Sequence, residues 1–289
     1  MMYNKWFEPQ LKGCRLIRFL IYKEMKITII GAGNMGGAIA RGLAKGSLVN
    51  VEDITVADPN KKCLDQLAEE YPAMKVMNDN REAVKNADMV LLAVKPWLVQ
   101  PVIDDIKDVL DYNQIIFASI AAGIGTEQLC QYLDREDGEM PPVYYLIPNT
   151  AISVMSGMTF ITSVYSTPET DARILALFDE LGKAMLVEER LIGACMAMAS
   201  CGIAYVMRYI RAATEGGVEL GLYAHDAQAI IMQTMKGAVD LLTATGNHPE
   251  AEIDKVTTPG GITIKGLNAM EEAGFTNSVI KGLKASVKK

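Results

Sequence analysis

The stretch Lys26-Ile27-Thr28-Ile29-Ile30-Gly31-Ala32-Gly33-Asn34-Met35-Gly36-Gly37-Ala38-Ile39-Ala40-Arg41-Gly42-Leu43 decides the fold. A β-branched run leads straight into a glycine-punctuated turn, and a helical pattern through Ala38 to Ala44 follows. Gly31, Gly33 and Gly36 stand in G-x-G-x-x-G spacing. Alone that spacing is weak, but after a strand and at the mouth of a helix each glycine has a task. Gly31 permits the tight turn, Gly33 lets the backbone approach a pyrophosphate, and Gly36 lets helix and strand pack closely. The helix start then offers unpaired N–H groups and a partial positive charge to the anion. A second strand, 53–57, ends at Asp58, 22 residues past Gly36, where an acidic side chain accepts hydrogen bonds from an adenosine ribose. That reading favours NADH. Lys61 and Lys62 offer the alternative of meeting a 2′-phosphate, and Asp58 also suits a turn before Pro59, so NADH and NADPH both stay open.

The alternation continues to about residue 187. Continuous apolar runs at 90–94 and 115–118 suit strands buried on both faces, and 143–147 and 158–161 are further strands. The expectation is an α/β protein: a Rossmann-type dinucleotide-binding domain over 25–187, its parallel sheet built with crossover helices. After Glu188 the strand signals stop, and helical patterns occupy roughly 190–221, 224–245 and 262–273, predicting an all-helical dimerisation domain over 188–289. Within it, 191–207 is an uncharged run of 17 residues, at the lower limit for a membrane span. Gly193, Ser200 and Gly202 dilute it, and Arg208 and Arg211 follow at once, so a buried helix is expected rather than a membrane segment. The segment 194–213 is apolar around most of its circumference, and a second subunit is the simplest way to enclose it. Residues 1–24 mix charges into short apolar runs. They are expected to be a dispensable extension rather than an export signal.

The 289 residues include 28 Lys+Arg and 35 Asp+Glu, a net charge of −7, which argues against sequence-independent nucleic-acid binding. Cys14, Cys63, Cys130, Cys195 and Cys201 are odd in number and widely spaced, as expected of small apolar residues in a reducing cytoplasm. With His225 and His248 the sole imidazoles, no metal site is expected.

The most specific stretch is Val256-Thr257-Thr258-Pro259-Gly260-Gly261-Ile262-Thr263-Ile264. Pro-Gly-Gly at a helix entrance leaves backbone N–H groups without side-chain obstruction, a natural carboxylate cradle, with Thr258 and Thr263 adding hydroxyls. Here the sequence resembles the pyrroline-5-carboxylate reductase family. The likeness extends to 29–43, Asn80, AVKP at 93–96, SIAAGI at 119–124, IPNTA at 147–151, CGIAY at 201–205, EGGVELGL at 215–222 and His248-Pro249, nearly the whole chain. The resemblance implies that Ile30, Gly31, Ala32, Gly33, Asn34, Met35 and Gly36 hold the cofactor phosphates. Asp58 and Asn80 would meet the adenosine end, and Ala93, Val94, Lys95 and Pro96 would flank the ribose and nicotinamide side. Ile120, Ala121 and Ala122 would lie near the nicotinamide. Thr258, Gly260, Gly261, Ile262 and Thr263 would hold the cyclic imino acid, with Asn149 a further substrate contact or a Pro-Asn turn. It further implies a cytoplasmic homodimer that assembles into rings such as a decamer, its substrate loop packing on a partner's helices. Three departures, Ile203 for Pro, Arg211 for an acidic residue and Ala151 for Pro, bear on substrate preference more than on cofactor binding.

Imine reduction suits so few ionisable residues. The cofactor supplies hydride, and an imine, far more basic than a ketone, can arrive already protonated, so orientation in a dry pocket matters more than a strong acid. Thr263 is the candidate catalytic residue, hydrogen-bonding the ring nitrogen. Alternatives are a reductase of another cyclic imine, a β-hydroxyacid-type dehydrogenase, and a non-catalytic nucleotide-binding sensor. The dehydrogenase is disfavoured because 201–215 contains no Lys for a K-x-x-x-N pair, and the sensor because Gly260, Gly261 and Thr263 are intact.

Overall fold

The computed structural model describes residues 25–135 and 138–287; the expectation about residues 1–24 lies outside them. The chain divides into two compact units, the first ending at Ile192 and the second starting at Gly193.

The first unit is built on one eight-stranded sheet in the order β3-β2-β1-β4-β5-β6-β7-β8. Its strands are β1 (Ile27–Ile30), β2 (Ile54–Ala57), β3 (Lys75–Met77), β4 (Met89–Leu92), β5 (Ile116–Ser119), β6 (Val143–Ile147), β7 (Gly157–Val164) and β8 (Gly182–Leu186). Every residue of β1, β4, β5 and β6 is buried, the condition that turns strand sequences into unbroken apolar runs. In β1, Ile27 stands opposite both Ile54 and Met89, so β2 and β4 flank it in parallel. The chain leaves β1 toward β3 and then returns across it to β4. This reversal opens the crevice beyond the carboxyl ends of β1 and β4, where doubly wound sheets bind ligands.

One sheet expectation needs correcting. β6 and β7 pair antiparallel, Val143 opposite Val164. Only nine residues connect them, folded as a 3-10 turn over Thr150–Val154, too few for the crossover a parallel pair requires. β3 and β8 were not legible as strands. β3 is only three residues, Lys75 exposed and Val76 and Met77 half-buried, and β8 is an edge strand with Met185 and Leu186 facing solvent.

Helix α1 (Asn34–Lys45) lays Ala38, Ile39, Ala40 and Leu43 on the sheet, into a core with Ile29, Leu91, Leu177 and Phe178. Its far end is tied down by Glu180, whose carboxylate accepts from the amides of Ser47 (2.9 Å) and Leu48 (3.2 Å). The remaining helices of this unit are α2 (Lys61–Glu70), α3 (Asn80–Val84), α4 (Val99–Ile106), α5 (Thr126–Leu133) and α6 (Pro168–Asp179).

From Ile192 onward the described chain is helical: α7 (Ile192–Met196), a π-helical turn (Ala197–Cys201), α8 (Gly202–Glu219), α9 (Ala224–Thr245), α10 (Pro249–Val256), α11 (Ile262–Glu272) and α12 (Phe275–Ala285). The single helix expected over 190–221 is therefore interrupted by the π turn. α8 and α9 make a tight hairpin, so close that a Cβ on Gly217 would meet the Ala227 Cβ at 2.7 Å. α12 returns to α8, where the Tyr205 hydroxyl bonds the Ser286 hydroxyl.

This unit buries little of its own surface. Of described residues 193–287, Ala197, Thr214 and Ala227 alone are buried, whereas Met198, Val206, Met207, Ile230, Met232, Val239 and Leu241 are exposed. The apolar span within Glu189–Glu219 is long and hydrophobic enough to cross a membrane, yet only 11% of it is buried within the chain. The expected buried helix is not enclosed by its own chain, so whatever covers it comes from outside.

Candidate functional site

The turn at 31–36 has the geometry its glycines predict. Gly31 sits at φ +109, and a Cβ there would lie 2.6 Å from the Ala93 carbonyl oxygen. A Cβ on Gly36 would lie 1.9 Å from the Gly31 oxygen and 2.8 Å from the Ala93 Cβ. These two glycines hold helix, turn and neighbouring strand in contact. Gly33 is different: its backbone is extended, φ −66 and ψ −170, and a Cβ there would meet nothing within 4 Å. No packing demand for glycine exists at Gly33, and the open space above its backbone is what a close-lying pyrophosphate would occupy. Gly33 is also the N-cap of α1, with no side-chain cap and no acidic residue in the first turn, so the helix keeps an uncapped positive end. The residues present fit a dinucleotide.

Asp58 makes the turn that its place before Pro59 allowed, and it also reaches back to the phosphate-binding loop. Its Oδ2 accepts from the Ala32 amide at 2.6 Å and its Oδ1 from the Asn60 amide at 2.7 Å. The carboxylate braces the phosphate turn from beneath. Asn60 in turn caps α2 by accepting from the Lys62 amide, leaving Lys61 and Lys62 in a first turn that has no acidic residue. Asn80 opens α3 and is half-buried. Ala93 continues β4 by donating its amide to Ile30 (2.8 Å), while Lys95 and Pro96 start a short turn at whose tip Trp97 is exposed.

At the carboxyl end of β5, Ile120 donates to Leu92 (3.0 Å) and Ala121 to the Ser119 hydroxyl (3.2 Å). Gly123, at φ +87, donates to the Tyr145 hydroxyl at 3.0 Å. Burial pushes the Tyr145 phenol up, and the Glu189 carboxylate adds to it. Glu189 caps α5 through the Thr126 amide at 2.9 Å. Ser119, Tyr145 and Glu189 were missed by sequence reading, because the β5–β6 register sets Ser119 opposite Tyr145 while Glu189 arrives from the 3-10 turn after β8, far along the chain.

Asn149 serves its own loop. Its Oδ1 accepts from the amides of Ala151 and Met158, both at 3.3 Å, so it is at least the turn residue allowed for. Ala151 supplies an N–H that the family's usual Pro lacks.

In the second unit, the Pro259–Gly261 turn presents α11. Gly260 sits at φ +71, and Gly261 donates to the Thr258 carbonyl (2.9 Å). A Cβ on Gly261 would lie 2.6 Å from the Thr258 hydroxyl oxygen, so this glycine lets Thr258 close on the helix start. Gly261 is the N-cap, with no side-chain cap and no acidic residue in the first turn. Thr258, Ile262 and Thr263 are exposed, and among the described residues neither threonine hydroxyl has a hydrogen-bond partner. Arg211 pairs with Glu215 one turn along α8, at 2.8 Å. Cys63, Cys130, Cys195 and Cys201 are free and half-buried, less buried than expected, and burial raises the thiols of Cys130 and Cys195.

Comparison with known proteins decides the family. A reductase of Dictyostelium discoideum named pyrroline-5-carboxylate reductase 2 is 33% identical over 276 residues, 91% of each chain. The chain belongs to the pyrroline-5-carboxylate reductase family. Residues 189–289 match the model described as pyrroline-5-carboxylate reductase dimerisation, and 26–123 the one described as NADP oxidoreductase, coenzyme F420-dependent. Pyrroline-5-carboxylate reductase 1 of the same organism is 36% identical over 272 residues, of whose length this chain spans 48%. The structure of the Plasmodium falciparum pyrroline carboxylate reductase with NADP bound superimposes with a TM-score of 0.80 at 26% identity, covering 92% of this chain and 96% of that one. The reductase family thus combines the two units found here, a Rossmann-like sheet and a helical dimerisation region.

Proposed function

We propose that this protein reduces the cyclic imine 1-pyrroline-5-carboxylate to L-proline with NADPH, as a cytoplasmic homodimer able to assemble into larger rings. Within a chain of this family, the observation that carries the reading is the uncapped start of α11, where the amides of Gly260, Ile262 and Thr263 lie between two threonine hydroxyls that have no hydrogen-bond partner among the described residues. Such an array binds a carboxylate through N–H groups and the helix dipole.

Ile30 to Gly36 hold the cofactor phosphates, with Asp58 fixing the Ala32 amide; Asn80, Ala93 to Pro96 and Ile120 to Ala122 take the remainder of the dinucleotide. The bound cofactor supplies hydride to the imine carbon. Thr258 and the amides of Gly260, Ile262 and Thr263 orient the substrate carboxylate, with Gly261 closing the turn onto the Thr258 carbonyl. The Thr263 hydroxyl accepts a hydrogen bond from the protonated ring nitrogen and keeps that proton in place. A strong acid is unnecessary, because the imine carries its proton in. Preference for NADPH rests on Lys61 and Lys62 at an acid-free helix start, where they can meet a 2′-phosphate. The apolar face of the helical unit is covered by a second copy rather than a bilayer, since Arg208, Arg211 and Glu215 lie on the same helix.

Initial rates test this directly. 1-Pyrroline, the same ring without its carboxylate, should show kcat/KM lower by about 100-fold, since the charge-assisted contacts vanish. NADPH should outperform NADH by about tenfold or more. Equal rates on both rings would remove the carboxylate cradle. Cofactor binding without turnover of any cyclic imine would favour the sensor.

A further inference from the structure

The loop 120–125 is held at the carboxyl end of the sheet by side chains from three places. Ser119 receives the Ala121 amide at 3.2 Å, Tyr145 receives the Gly123 amide at 3.0 Å, and Glu189 receives the Thr126 amide at 2.9 Å. Tyr145 is only 4% exposed and comes up from inside the sheet, opposite Ser119 in the β5–β6 register. Gly123 is exposed, and a Cβ built on it would touch nothing within 4 Å. Beyond the turn bond from the Ile124 amide to the Ala121 carbonyl at 3.2 Å, the Tyr145 phenol is what holds the Gly123 amide, at a φ of +87 that glycine allows. Water would satisfy an exposed amide equally well; a buried phenol does something water does not, which is to fix its direction.

We propose that Tyr145 is a positioning residue for the reduction: by holding the Gly123 amide it sets the 120–125 loop against the nicotinamide. This rests on the reading that Ile120 to Ala122 lie beside that ring. Burial raises the phenol, so it stays neutral and keeps one role across the working pH range.

Tyr145→Phe removes one oxygen and keeps the buried ring. In the nucleotide-free protein, amide hydrogen exchange in 120–125 should accelerate by about tenfold while the sheet keeps its protection. With NADPH and pyrroline-5-carboxylate, kcat should fall by about tenfold, with the NADPH Kd within about twofold because the phosphate turn is untouched. The primary isotope effect from 4-deuterated NADPH should rise, as a misaligned ring makes hydride transfer limiting. Unchanged exchange and kcat overturn the proposal, as does a kcat loss with an unchanged isotope effect and a lowered melting temperature. If Tyr145→Phe does not fold, Ser119→Ala loosens the same loop and should show the same direction; no change there overturns it. A wild-type enzyme that does not turn over the imine overturns the assigned reaction and this role with it, whereas wild-type turnover matched by the variant overturns this role alone.

Discussion

Gly33→Ala is expected to weaken NADPH binding by about 100-fold while leaving the melting temperature within about 2 °C of the wild type. The two halves of that expectation come from one observation. Gly33 has a backbone conformation open to any residue, and the added methyl meets no protein atom within 4 Å. The unfolded chain even loses a little entropy, an effect of about 0.4–1 kcal/mol in favour of the fold. The methyl instead occupies space that a pyrophosphate needs. Gly36→Ala is the contrasting control: its methyl would lie 1.9 Å from the Gly31 oxygen, so the fold itself should lose about 3 kcal/mol or fail to form. Nucleotide titration and calorimetry on the two variants separate the roles. Gly33→Ala with wild-type affinity would remove the dinucleotide assignment.

Met207→Glu is expected to convert the protein to a monomer or an aggregate with no measurable reductase activity, although its first unit still binds NADPH. Met207 is 58% exposed on α8, so in an isolated chain a carboxylate there costs about 0.5 kcal/mol or less. Against a second copy the same charge must be desolvated without a partner, which costs several kcal/mol in an apolar interface. Ala204→Glu, on the same helix, should behave alike. Light scattering reads the outcome, and a well-behaved monomer with full activity would defeat the dimer requirement.

The glycine turn and the central strands were legible because each demand there is local. A strand buried on both faces must be a continuous apolar run, and a phosphate turn must spend glycines at Gly31, Gly33 and Gly36. The Pro-Gly-Gly stretch was legible for the same reason. The direction of the Asp58 carboxylate was not, because a ribose and the Ala32 amide make the same demand on an acidic side chain. Nor was the support under 120–125, since Ser119 and Tyr145 meet through strand register and Glu189 comes from a turn 63 residues past Thr126. The antiparallel β7 was hidden in a connection whose length, rather than composition, forbids a crossover. The interrupted helix at Ala197–Cys201 carries no proline to mark it.

The most direct test is to incubate the purified protein with NADPH and pyrroline-5-carboxylate and quantify both nicotinamide absorbance and proline. The expected result is imine-dependent oxidation of NADPH with one L-proline formed for each NADPH consumed. A protein that binds NADPH yet forms no proline would contradict the assignment.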